Sequence, residues 1–184
     1  MIPFVILSGC SGGGKSVLLD ELSRRGHTVI PEPGRRIVQE EIRRGGHALP
    51  WQDMPAFLRR TITLAQEDYT HALRHTGHWV FFDRSLIDAA TALHFPADPE
   101  ALQRVTENYR YYPHVFLTPP WPEIYVQDPE RRHDLQAAQE EYQRLLLSYP
   151  ALGYTVHVLP KFSVLERAEY VLDMLDSTAS RRPA

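Results

Sequence analysis

The chain begins with an apolar segment, a glycine-rich turn and a helix-forming segment, and this succession constrains its fold more than any other feature. The apolar segment is Pro3 to Ser8, and the turn from Gly9 to Ser16 reads GCSGGGKS. The turn matches G-x-x-x-x-G-K-[ST], in the strand-to-helix context that this pattern requires. The sequence therefore predicts a strand, a tight loop and a helix, which is the first unit of a parallel α/β fold.

The composition of this loop suits the binding of a polyanion. Glycines let successive N–H groups turn inward around phosphate oxygens, at the positive end of the following helix. In this pattern the lysine reaches the β- and γ-phosphates and the serine hydroxyl binds magnesium. We predict ATP and Mg2+ as cofactors, bound by Gly9, Ser11, Gly12, Gly13, Gly14, Lys15, Ser16 and Val17. The alternative is a glycine-rich turn that binds no ligand.

Lysine is rare in this chain. Eighteen of the twenty basic residues are arginine, and only Lys15 and Lys161 are lysine. Arginine is a broad planar fork and lysine is a compact charge on a thin stem, so a tight phosphate site accepts lysine and excludes arginine. Lys15 is therefore predicted to bind phosphate and to act in catalysis.

Composition and charge narrow the class of protein. The chain has 184 residues, 43% of them apolar, and a formal net charge of −3. These values predict one soluble domain and give no sign of nonspecific binding to nucleic acid or membranes. Its only cysteine, Cys10, excludes an internal disulfide and a multi-cysteine zinc site. The thiol is either reactive in an electropositive loop or simply small enough to fit. Without a signal-peptide pattern or a run of ~20 apolar residues, we expect a cytoplasmic location.

Apolar runs alternate with helix-forming segments along the rest of the chain. We predict strands at Pro3 to Ser8, His27 to Ile30, Trp79 to Asp83, His114 to Thr118 and Thr155 to Leu159. Predicted helices are Lys15 to Arg25, Arg35 to Arg44, Asp53 to Arg74, Ser85 to His94, Pro99 to Tyr109, Leu135 to Leu147 and Val164 to Leu175. The alternation predicts a three-layer α/β domain over residues 1–176, with a parallel sheet between helices. Residues 177–184 are expected to fray.

Two carboxylates follow predicted strands, at the edge where open parallel sheets bind ligands. Asp83 has the position of an acid that holds magnesium or accepts a proton from an attacking hydroxyl, although it could instead cap the next helix. Glu32 lies between two prolines, and we predict a general base or an acceptor ligand there, with an exposed turn residue as the alternative. The predicted substrate-binding residues are Glu32, Arg35, Arg36, Asp83 and Arg84, although Arg35 and Arg36 could also be solvated surface.

A second arginine pair lies in a predicted lid. The proline-rich stretch Pro119 to Pro122 leads into Asp128 to His133. A lid over about residues 119–135 would carry Arg131 or Arg132 over the transferring phosphate and neutralise charge on its oxygens. A charged helix entry is the alternative.

Three smaller groups complete the candidates. Lys161 and Phe162 follow the fifth predicted strand and either border the nucleotide base or pack at the surface. The neighbouring histidines His71, His75 and His78 predict no metal site, because no cysteine or carboxylate completes a ligand set. We expect core anchors rather than stacking platforms at Tyr111, Tyr112 and Trp121.

With these residues assembled, the chain resembles the small predicted ATPases of the AAA superfamily that are related to the nicotinamide riboside kinase domain. A more distant likeness is to nucleoside and nucleotide kinases. The resemblance covers nearly the whole chain and depends on the segments Gly9 to Ser16, Pro31 to Arg36, Phe82 to Ser85, Asp128 to Arg132, Gly153 to Tyr154 and Leu159 to Lys161. The phosphate loop is the specific element among them.

The resemblance implies a P-loop sheet with strand order 2-3-1-4-5. In deoxynucleoside kinases an acid-proline pair and an acid-arginine-serine contact the sugar, and Glu32-Pro33 and Asp83-Arg84-Ser85 are similar to these. Ring-forming AAA proteins carry a further helical domain and a subunit-bridging arginine, which this chain does not show, so a hexameric motor is disfavoured.

Three functional hypotheses follow. The first is a phosphotransferase that moves the γ-phosphoryl group of Mg-ATP to a small nucleoside-like or other hydroxyl or phosphate acceptor. The second is an ATP-hydrolysing switch or accessory ATPase that acts through a protein partner. A polynucleotide kinase is a third, and it would need a basic groove. The sequence leaves the oligomeric state open.

Overall fold

Among the residues that the structure describes, five parallel strands form one sheet, with the first strand in its centre. The computed structural model describes residues 3–75, 78–95, 97–124 and 135–180. The strands are β1 (Phe4–Gly9), β2 (Thr28–Ile30), β3 (Val80–Asp83), β4 (His114–Thr118) and β5 (Thr155–Val158). Their order is β2-β3-β1-β4-β5, with every neighbouring pair parallel. This confirms the predicted P-loop sheet and its strand order.

In the described part of the chain, seven helices connect and cover the strands. They are α1 (Lys15–Arg24), α2 (Pro33–Arg44), α3 (Met54–Ala72), α4 (Leu86–His94), α5 (Pro99–Thr106), α6 (Leu135–Ala151) and α7 (Val164–Ser180), with a 3-10 turn at Pro122–Ile124. Each lies within a few residues of its predicted bounds. The described residues include no helix that is both long and apolar enough to cross a membrane.

The end of α7 corrects one expectation. Residues 177–180 were expected to fray, yet the helix continues to Ser180. The Thr178 hydroxyl lies 2.9 Å from the hydroxyl of Tyr112, which ties this last turn to the domain. Residues 181–184 lie outside the described part of the chain.

The core has two layers, one on each face of the sheet. On one face Phe4, Ile6 and Phe82 pack against α3, α4 and α6. On the other face Val5 and Leu7 pack against α1 and α7. Consecutive residues of β1 thus alternate between the two layers, and burial on both faces explains why this strand is continuously apolar.

The register of the sheet brings the candidate residues together. Leu7 pairs with Asp83, and Gly9 pairs with Thr118 of β4. Since parallel strands all end at the same edge, the phosphate loop, Asp83 and the segment after β4 are neighbours there. Glu32 comes two residues after the end of β2, next to β3, and reaches the same edge.

Both the neighbouring atoms and the backbone conformation require glycine at position 9. A Cβ there would lie 2.3 Å from the carbonyl oxygen of Thr118, and φ is +113°. We expect Gly9→Ala to lower the free energy of unfolding by at least about 3 kcal/mol, because backbone strain and overpacking add. Gly26→Ala is the matched control, because φ is +91° there and a Cβ would have no neighbour within 4 Å. Urea unfolding measures both variants, and equal losses would contradict the close-packing argument.

Candidate active site

Backbone hydrogen bonds fix the first half of the phosphate loop. The Cys10 N–H donates to the carbonyl oxygen of Thr118 at 2.8 Å, and the Gly13 N–H donates to that of Cys10 at 3.1 Å. Gly12 and Gly14 have φ values of +79° and +76°. This left-handed backbone is what glycine allows without steric cost, and it supports the predicted inward turn of the loop.

Cys10 is a packing residue. It is fully buried, and its thiol lies 3.5 Å from the carbonyl oxygen of Ala138 on α6. Burial, and next the charge of Glu141, raises the pKa of the thiol above its usual value. Because the thiolate is the reactive form, the structure favours the small residue that fits over the reactive thiol.

Lys15 and Asp83 form an ion pair. The lysine Nζ lies 2.7 Å from Oδ1 of the aspartate, and the two side chains are only 5% and 13% exposed. The loop lysine and the acid at the end of β3 thus neutralise each other within the site. A phosphate that binds in the loop must compete with Asp83 for the lysine charge.

Arg84 is the centre of a cluster of carboxylates. It has φ of +62°, the one positive value among the described non-glycine residues. Its guanidinium donates to both oxygens of Glu141 at 2.8 and 3.0 Å and lies 3.3 Å from Glu32. Burial lowers its pKa, but the charges of Glu141, Glu32, Asp88 and Asp83 together outweigh it and raise the pKa well above the usual value. Arg84 therefore stays charged and holds Glu32 in place.

Asp88 connects this cluster to the phosphate-loop strand. It accepts hydrogen bonds from Ser8 at the end of β1, from Tyr149 on α6 at 2.7 Å and from the Ser85 N–H at 2.9 Å. Ser85 and Asp88 also form a capping box at the start of α4. The capping of α4 thus falls to Ser85, which leaves Asp83 available for the site.

Two acids of this cluster, Asp88 and Glu141, were not predicted from the sequence. The spacing Ser85-x-x-Asp88 is a capping-box signature, so the sequence carried a signal for Asp88. Glu141 carried none, because it stands beside Glu140 within a predicted helix and only the packing of α6 brings it to Arg84.

A cavity of about 330 Å³ opens beside this cluster. Its polar lining includes Glu32, Arg35 and Arg84, and Ser11 of the phosphate loop borders it. Its apolar wall comes from α2, α3 and α4 and includes Val38, Met54, Phe57, Leu58 and Ala89. We call this the acceptor cavity, and its volume is in the range of small-molecule sites.

A second cavity of about 530 Å³ lies on the other side of the loop. Its polar lining includes Gly12, Lys15 and Ser16, and its apolar lining includes Trp121, Ile124 and Phe162. We call this the nucleotide cavity. The expectation that Trp121 is a core anchor is wrong, because its indole lines this cavity and lies against the Arg167 guanidinium. Tyr111 and Tyr112 are buried, as expected of core anchors.

The remaining candidates fall in different places. Phe162 lines the nucleotide cavity, whereas Lys161 is exposed and does not. Arg36 pairs with Asp68 of α3 at 2.6 Å instead of lining the acceptor cavity. Within the described ranges no three His, Cys, Asp or Glu side chains are placed to hold a metal, and this holds for His71, His75 and His78 as well. The predicted lid arginines Arg131 and Arg132 lie outside the described residues.

Comparison with known structures identifies the fold. Deoxyadenosine kinase from M. mycoides, solved with bound dATP, matches at a TM-score of 0.63 and 13% identity over 94% of this chain and 98% of its own. Thymidylate kinase from Candida albicans matches at a TM-score of 0.67 and 11% identity over 97% and 93%. At these identities the likeness establishes a shared P-loop kinase fold.

Sequence comparison is consistent with that fold. No curated protein sequence matches this chain. Residues 4–167, which run from β1 into α7 and include both cavities, match the family model described as AAA domain. The chain therefore belongs to this AAA domain family.

Proposed function

We propose that this protein is a phosphotransferase that moves the γ-phosphoryl group of Mg-ATP to a small acceptor with a hydroxyl or phosphate group. The observation that carries this proposal is the pair of cavities on the two sides of one phosphate loop. Ser11 borders the acceptor cavity, and the next residue, Gly12, borders the nucleotide cavity. A transferase needs donor and acceptor sites that meet at the transferred group. A hydrolase that acts only as a switch needs no second small-molecule site.

The charges at this junction suit phosphoryl transfer. Lys15 would move from Asp83 to the β- and γ-phosphates and neutralise charge that develops there. The acceptor hydroxyl would attack the γ-phosphorus as the bond to the β-phosphate oxygen breaks. Its proton would pass to Glu32, a carboxylate that lines the acceptor cavity and follows the end of β2. Arg84 holds that carboxylate at 3.3 Å.

Ser16 and Asp83 fit a magnesium ion. Mg2+ takes oxygen ligands and is commonly bound through one or two carboxylates together with substrate phosphates, so no larger protein cluster is needed. Ser16 lines the nucleotide cavity with an exposed hydroxyl, and Asp83 offers a carboxylate beside Lys15. When bound, the ion would offset the charge of the triphosphate.

The acceptor class follows from the lining of its cavity. Apolar side chains of α2, α3 and α4 line it together with charged groups such as Glu32, Arg35 and Arg84. A ligand with a flat uncharged ring and a polar end that carries the hydroxyl suits such a site, and nucleosides have this form. The solved structures of similar fold are kinases of nucleosides and nucleotides, which supports the same class.

Phosphorus NMR distinguishes this proposal from the switch. We expect purified protein with Mg-ATP and a panel of nucleosides, nucleotides and vitamins to form a new phosphoester with at least one acceptor. Free phosphate alone, released at a rate unchanged by every acceptor, would favour the ATP-hydrolysing switch instead. A Lys15→Ala sample serves as the control for a contaminating kinase, because it should lose either activity.

A further inference from the structure

Arg167 is a buried cation that has no acidic partner in the described residues. It lies on the first turn of α7 and is only 3% exposed. Its Nη1 donates to the carbonyl oxygen of Gly14 at 3.1 Å, and its guanidinium carbon lies 5.4 Å from the centre of the Trp121 ring. Its Nε has no hydrogen-bond partner. Arg84 is similarly buried, yet several carboxylates surround it.

Such an arrangement is costly unless a ligand completes it. A guanidinium has five N–H donors and no acceptor, and a buried donor without a partner carries a desolvation penalty. Burial lowers the pKa of Arg167, as expected of a cation without a compensating acid. Arg167 lines the nucleotide cavity, where the only other lysine or arginine side chain in the described lining is Lys15. Lys15 is paired with Asp83, so Arg167 is the uncompensated cation among the described lining residues, and its charge indicates an anionic ligand.

The position of Arg167 specifies which part of that ligand it meets. Lys15 and Ser16 mark the phosphate end of the cavity, and Trp121 and Phe162 mark the aromatic end. Arg167 contacts the loop backbone at Gly14 and also the Trp121 indole, so it stands between the two ends. In a nucleotide, the group at that junction is the α-phosphate, which joins the phosphate chain to the nucleoside.

We infer that Arg167 is a further nucleotide-binding residue, whose guanidinium donates to the α-phosphate of the nucleotide held by the phosphate loop. The inference rests on the proposed nucleotide site but adds a residue that the loop motif does not contain. The contact would use guanidinium N–H groups that Gly14 does not occupy, while Nη1 stays on Gly14 and the guanidinium stays on Trp121. The Gly14 carbonyl oxygen and the face of the Trp121 ring both contact a planar, charged guanidinium, which favours arginine over lysine at this position.

The test compares ligands that differ in phosphate number. Arg167→Met keeps the stem against Trp121 and removes the charge. We expect it to weaken AMP, ADP and ATP by a similar factor of about ten or more, because all three carry the α-phosphate. Adenosine, measured by ligand-observed NMR, should change by less than about twofold. Arg104→Met is the control, because that side chain is 65% exposed and lies in neither cavity.

Different failures have different meanings. Unchanged binding of all three nucleotides in Arg167→Met would overturn the inference. A loss for ADP and ATP that spares AMP would also overturn it, because it would mean that Arg167 only supports the loop around the β- and γ-phosphates. Wild-type protein that binds no nucleotide would overturn the proposed function itself, and the inference with it.

A second measurement uses the wild-type protein, so it does not depend on the folding of the methionine variant. In protein labelled with 15N-arginine, the Arg167 Nε–H signal is assigned by its absence in Arg167→Lys. We expect AMP to shift this signal and adenosine to leave it unchanged. A signal that moves with neither ligand would overturn the inference.

Discussion

Lys15→Met is expected to weaken the binding of ATP by about a hundredfold or more, which corresponds to roughly 3 kcal/mol. The reason is the burial of Lys15, which is 5% exposed at the centre of the phosphate loop. A charge-assisted contact in such a place contributes more than one at the surface, where water and salt screen it. Isothermal titration calorimetry with ATP and Mg2+ measures the effect directly.

The chain offers one matched control for this substitution. Lys161 is its only other lysine, and it is exposed outside the nucleotide cavity. Lys161→Met should therefore keep the wild-type affinity within about twofold. If both methionine variants bind ATP as the wild type does, Lys15 is not a phosphate ligand and the loop is a glycine-rich turn without this role.

Asp83→Asn is expected to separate binding from catalysis. We expect the rate of phosphoryl transfer to fall by about a hundred- to a thousandfold, because the variant loses the carboxylate that is placed to hold magnesium or take a proton. Binding of ATP in the presence of EDTA should instead tighten, by about three- to tenfold, because Lys15 no longer has to leave its partner at 2.7 Å. Steady-state kinetics and calorimetry measure the two effects.

The opposite signs of these effects make the experiment specific. A merely misfolded variant would lose both binding and transfer. Asp20→Asn controls for a change of net charge, because Asp20 is exposed on α1 and lies in neither cavity. Full activity in Asp83→Asn would remove this residue from the mechanism, and unchanged metal-free affinity would show that the ion pair does not compete with nucleotide.

Local patterns were sufficient for most of the fold. The alternation of apolar runs and helical periods predicted five strands and seven helices, because burial on both faces leaves a parallel strand continuously apolar. The bounds were least accurate at the carboxyl ends of helices. Continuation of α7 to Ser180 depends on a hydroxyl contact between Thr178 and Tyr112, residues 66 positions apart, which no local pattern can contain.

The candidate site also contains residues that local patterns predict and residues that depend on contacts between distant segments. The phosphate loop, Asp83 and Glu32 could be found from the sequence because each lies at or just beyond the end of a strand, and the strand ends of a parallel sheet meet at one edge. Arg36 could not be separated from Arg35 by sequence. The ion pair between Arg36 and Asp68 depends on how α2 packs against α3.

The sequence by itself determined how this protein can bind a polyanion. The loop GCSGGGKS forms from adjacent residues, and its glycines allow the backbone conformation that the loop needs. Tertiary structure decided which side chains surround that loop. Glu141 on α6 and Arg167 on α7 lie more than a hundred residues from the loop in sequence. Glu141 reaches Arg84 and Arg167 reaches Gly14 because the two helices pack on opposite faces of the sheet. Contacts between distant segments are set by packing of the whole domain, and no periodicity along the chain encodes them.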